Sequence, residues 1–244
     1  PEVALADGLL TLAFDSDNEV SILKAISRID KLVSAGLANA KLELTLARLW
    51  MKEPVRNPIQ AIATLIESTD REPDTIPNLL LLTKLLQEAG RPAEAESSIQ
   101  RLKKFENRFA PSQLAFFVNL LGSQGDIEAM RDSACTLAAA SGRIEDSIGC
   151  IRLSLQLGDT ATADRLLDEL AALPTRSLAV DEALAARFVR KNQVSDAIEQ
   201  LRNSNSFKEE VDRQIAIATI QMGNREWAGA IQSLGAIGVG LSES

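Results

Sequence analysis

Apolar residues recur along this chain at helical spacing, and the residues that break helices fall between these stretches. Asp74 to Phe105 shows the grammar. The spacing predicts a first helix over about 75–89 carrying Leu79, Leu82, Leu85 and Leu86, then a turn at Gly90-Arg91-Pro92. A second helix follows, with Ala95, Ile99 and Leu102 on one face. Gly125-Asp126, Gly158-Asp159, Lys191-Asn192 and Gly223-Asn224 mark turns of the same kind. At the N-terminal side a looser pair is expected, a helix over 2–14 with Leu12-Ala13 and another over 18–34 with Ala25, Ile26 and Ile29. That reading gives about seven hairpins. The prolines sit in connections or first turns, where a missing N–H costs least, and no stretch alternates long enough to claim a strand.

A ruler runs through the second helices. Ala61, Ala95, Ala129, Ala163 and Ala197 stand 34 residues apart, and Ala230 follows after 33. Four positions after each come Leu65, Ile99, Ser133, Leu167, Leu201 and Leu234. A fixed period of this length marks stacked supersecondary units. Its cause is packing: where the second helix crosses the first, a small side chain lets the axes approach to about 8–10 Å.

The pattern resembles the tetratricopeptide repeat, a helix–turn–helix unit. The matching positions are the six alanines, their aliphatic partners, Gly90 and Gly158 before the second helices, and Pro73 as a closing proline. The aromatic positions of that family's first helix are mostly Leu, Ser or Gln here, and Tyr is absent, so these are degenerate repeats. The resemblance implies an all-α, right-handed α-solenoid of about seven antiparallel hairpins in a single array over 1–244. Its repeats would run 2–36, 38–72, 74–108, 110–141, 143–174, 176–206 and 207–238. It also implies that first helices line a concave face, with Leu46 and Trp50, then Leu80, Lys84 and Gln87, then Leu114, Val118 and Leu121 on it. The row continues through Ile148, Arg152 and Leu155, then Glu182, Ala186, Val189 and Arg190, and ends at Ile215, Thr219 and Met222. The competing assignment for Leu114, Val118 and Leu155 is core between repeats. The Lys, Asn and Arg set with which some relatives clamp a C-terminal carboxylate is absent. The cations Lys84, Arg152 and Arg190 beside an apolar middle suggest a helix or extended peptide with acidic flanks.

Composition narrows the function. Net charge is −8, against binding to phosphate backbones, so no nucleic-acid role is expected. The basic stretch Arg101–Arg108 reads as a helix end. No apolar run reaches the ~18 residues of a membrane span. No histidine is present, which removes Ser-His-Asp and Cys-His catalysis and the commonest metal ligand; no glycine-rich phosphate loop appears either. No cofactor, no metal and no enzymatic activity are expected. Asp15, Asp17 and Glu19 resemble a calcium loop only faintly and read as capping residues for the next helix. Cys135 and Cys150 flank the turn at 141–143. The favoured reading is two small buried apolar residues, while their placement permits a disulfide without requiring one.

The chain begins at Pro1, so a segment of a longer protein is expected, with the compartment open between periplasm and cytoplasm. The apolar run Leu234–Leu241 suggests self-association through that end. Together these observations imply a non-catalytic scaffold or adaptor for a protein or peptide partner. By fold-level analogy it would suit a bacterial envelope, secretion or exopolysaccharide-export assembly. The alternative is an accessory repeat region fused to an enzyme, or a carbohydrate-handling module.

Overall fold

A computed structural model describes residues 18–37, 39–174 and 176–240, with the side chains of 236–240 excepted. The helix expected over 2–14, with Asp15 and Asp17, lies outside the described residues. The chain is all-α, with thirteen α-helices and no strand among the described residues. It forms two compact units that divide between Asp126 and Ile127.

In the first unit α1 (Glu19–Leu32) leads through a kinked segment (Val33–Leu37) to α2 (Ala40–Trp50) and α3 (Pro58–Arg71). Then come α4 (Ile76–Glu88), α5 (Pro92–Lys103), a 3-10 turn (Glu106–Arg108) and α6 (Pro111–Gln124). The second unit holds α7 (Ile127–Ser141), α8 (Ile144–Gln156), α9 (Thr160–Ala171) and α10 (Leu178–Arg190). It ends with α11 (Val194–Arg202), α12 (Glu210–Gly223) and α13 (Trp227–Gly240).

Local chemistry sets the helix ends. Asn18, Asn39, Asn57 and Asp159 each accept a backbone N–H of the first turn, at 2.9, 2.9, 3.2 and 3.1 Å. Prolines open α3, α5 and α6, where the absent N–H had no helical partner. At two turns a non-glycine residue takes the left-handed conformation, Asn192 at φ 62° and Arg225 at φ 63°. Asparagine tolerates this well; at the last turn Arg225 takes it instead of Gly223 or Asn224.

The alanine ruler is the core. Ala61, Ala95, Ala163 and Ala197 are fully buried and Ala230 nearly so, with Leu65, Ile99, Leu167 and Leu201 buried one turn on. Two marks deviate. Ala129 is only partly buried, because α7 turns Ser133, Ala134, Leu137 and Ala138 inward. Leu234 is exposed on α13, beside Ile231 and Trp227. Ala163→Leu should overpack its crossing and destabilise the second unit by about 1–3 kcal/mol; an unchanged urea midpoint would contradict this.

Buried polar groups lock the hairpins. The Asn78 amide donates to the Ala40 carbonyl at 2.9 Å and to Ser68 Oγ at 2.7 Å, joining α4 to α2 and α3. Buried Glu43 accepts from Arg71. Arg101 donates to the carbonyls of Thr69, in the last turn of α3, and Pro73, beyond its end, at 2.9 and 3.3 Å.

One expectation is corrected. Cys135 and Cys150 are not separate buried thiols: they form a disulfide between α7 and α8, with Cα atoms 4.8 Å apart. The physical reason is the small-residue face of this pair. Ser133, Ala134, Ala138 and Ser154 are buried in it and let the backbones approach.

Candidate binding grooves between successive first helices

In the second unit α10 packs on α11 and α11 on α12, with short reversals between them. Two reversals leave α10 and α12 running the same way, with a groove of about 720 Å³ between them. Glu182, Ala186 and Val189 line one wall, Asp212, Ile215 and Thr219 the other, and Leu201 and Phe207 the floor. Ile215 is 47% exposed. In the first unit a smaller groove of about 530 Å³ runs between α4 and α6. Lys84, Gln87 and Glu88 face Phe116, Asn119 and Ser123 there. The Gln87 side chain partly bridges it, donating to the Leu120 carbonyl at 3.0 Å and accepting from Ser123 Oγ at 2.9 Å.

The expected inner face separates into rows. Leu46, Leu80, Leu114 and Ile148 share one position of the 34-residue register, and all four are buried core. Leu121 is buried as well. Leu46, Leu80, Leu121 and Ile148 are therefore core rather than groove, and for Leu114 the competing assignment, core between repeats, is the one its burial supports. Their apolar side chains are shared between neighbouring helices, which a periodicity count does not distinguish from a groove. One turn on, the row Trp50, Lys84, Val118, Arg152 and Ala186 is half-buried or exposed. Trp50 packs partly against two core clusters of the first unit, and Leu155 against one of the second. At the C-terminal end Thr219 lines the large groove, whereas Met222, 39% exposed, does not.

Two of the three expected cations are paired. Lys84 pairs with Glu88 at 3.6 Å, and Arg190 turns to Asp164 on α9, which Lys191 also meets at 3.0 Å. Burial pushes the Asp164 carboxyl up, but the Lys191 hydrogen bond and the charges of Lys191, Arg190 and Arg187 outweigh it and hold the group below its usual range. The cap Asp159 is also held low, chiefly by the hydrogen bond from the Thr162 backbone. Arg152 is exposed.

Sequence reading missed Asp212 and Phe207. Asp212 lies one turn before Ile215 on the same face, a signal within reach once the groove is placed. Phe207 belongs to the connection 203–209, whose path no periodicity encodes. Among the described residues no cluster of three or more His, Cys, Asp or Glu could hold a metal ion. No described helix is long and apolar enough to cross a membrane.

Comparison with solved structures identifies this architecture. The complex of Naa15 and Naa10 bound to HypK-THB contains a chain matching 95% of this one at 12% identity, with a TM-score of 0.64. The match spans 36% of that longer chain. A tetratricopeptide repeat protein from Parabacteroides merdae matches over 93% of this chain and 90% of its own, at 13% identity and a TM-score of 0.49. Yeast Tom70 matches over 98% of this chain and 50% of its own, at 16% identity and a TM-score of 0.48. No protein-family model and no curated protein sequence matches the chain. The fold is that of a tetratricopeptide-like α-solenoid.

Proposed function

We propose that this chain is a non-catalytic interaction scaffold that holds a protein or peptide segment between successive first helices. The observation that carries this is the α10/α12 groove: about 720 Å³, open, lined mainly by apolar residues, with Ile215 exposed in its wall. Fixed helices hold such a surface ready, so a ligand meets it with little ordering cost to the scaffold. The exposed stripe Trp227, Ile231 and Leu234 on α13 would carry any self-association through that end.

Site-specific photo-crosslinking tests the reading. With p-benzoylphenylalanine in place of Ile215, a discrete adduct should form in source cells. It should be absent when the same group replaces exposed Glu199 on α11, and lost in an Ala186→Trp background that fills the groove. Equal labelling at both positions, or an adduct indifferent to Ala186→Trp, would reject the groove as the binding site.

A further inference from the structure

Resting on that reading, we infer that the α10/α12 groove selects a cationic amphipathic segment, one apolar face bearing Lys or Arg near one end. Three observations carry this. First, among the described residues the charged side chains lining the groove are two carboxylates, Glu182 and Asp212. The cations on its walls are engaged: Arg187 with Asp168, Arg190 with Asp164, and Arg213 with Glu210 and the Ser204 carbonyl. Neither Glu182 nor Asp212 has an ion-pair or hydrogen-bond partner among the described residues.

Second, the two carboxylates share one end of the groove. Glu182 is the fifth residue of α10 and Asp212 the third of α12, and these helices run the same way. A first-turn Asp212 also complements its helix dipole, but Glu182 lies beyond the turn where that effect operates.

Third, Glu182 replaces an aliphatic residue. It occupies the register position at which Leu46, Leu80, Leu114 and Ile148 are buried. A carboxylate there resists closure by core packing, because burying it unpaired would be costly. It keeps the groove open and marks it with negative charge. The wall from Leu178 to Val189 runs about 16 Å at 1.5 Å per residue, matching about three turns of a bound helix. The acidic-flanked ligand suggested by Lys84, Arg152 and Arg190 is thereby replaced by its electrostatic opposite at this groove.

The test is fluorescence polarisation with two labelled helical peptides of about 14 residues, one of Leu and Lys, the other with Glu at every Lys position. The Leu/Lys peptide should bind about tenfold more tightly, as expected for two solvent-accessible ion pairs. Glu182→Gln with Asp212→Asn should erase the preference. Glu199→Gln with Glu226→Gln, which removes the same net charge elsewhere, should keep it. Ala186→Trp should abolish binding of both peptides while the thermal transition stays in place. Equal or inverted preference, with binding still lost in Ala186→Trp, would overturn the charge selectivity and leave the groove standing. Binding of neither peptide, or binding indifferent to Ala186→Trp, would overturn both.

Discussion

Replacing Asp181 by alanine is expected to cost the second unit about 3–5 kcal/mol, the range for removing one member of a buried ionic cluster. Asp181 is buried on α10, and its carboxylate gathers a whole connection. Gln200 on α11 donates to Oδ1 at 3.0 Å, the hydroxyls of Ser204 and Ser206 donate to Oδ2, and Arg176 approaches Oδ1 at 3.3 Å. A carboxylate offers about four acceptor sites, and this one uses them. Ser204 is itself buried, so its hydroxyl would lose its acceptor without gaining water. The loss would propagate to the groove, because the connection 203–209 carries Phe207 and delivers α12. Asp181→Asn keeps the shape but exchanges an acceptor for a donor, and should cost about 1–3 kcal/mol. Urea unfolding of both variants decides the matter. Losses under ~1 kcal/mol for both would mean water replaces the carboxylate freely, and the cluster would then contribute no more than a surface pair.

The hairpin architecture was legible because it rests on a repeated steric demand. Ala61, Ala95, Ala163 and Ala197 are buried at helix crossings where a larger residue would force the axes apart, so the period survives even where aromatic signature residues are gone. The groove was legible only in part. Glu182, Ala186, Val189, Ile215 and Thr219 line it, yet Leu46, Leu114 and Leu121, read by the same rule, are core. A first helix between two neighbours is apolar on two adjoining faces. Periodicity locates both but does not say which one a neighbour covers. Charge at a fixed register position does say so: Glu182 stands where other units place Leu or Ile. Side-chain commitments were illegible altogether. Arg190 reaches Asp164 across 26 residues, and that pairing depends on the angle between α9 and α10 rather than on any local pattern.

Reduction of the Cys135–Cys150 bridge is expected to lower the stability of the second unit by about 3 kcal/mol, the loop-entropy value for a closed loop of about 15 residues. The two cysteines are 15 positions apart and lie seven before and eight after Gly142, so a hairpin turning there brings them level. This symmetry was visible in the sequence. The identity of the bond was not, because it depends on how closely the small faces of α7 and α8 approach. Thiol titration of unfolded, unreduced protein should find no free thiol, and the urea midpoint should fall on reduction. A Cys135→Ser, Cys150→Ser variant should unfold near the reduced midpoint and ignore reductant. Two reactive thiols in the unreduced protein, or a midpoint indifferent to reduction, would return the pair to the reading of small buried residues. Alkylation in intact source cells extends the measurement to the compartment, since structural disulfides persist where the surroundings are oxidising. A pair protected from alkylation until reduced would assign the chain to such a compartment, and a pair alkylated at once would assign it to a reducing one.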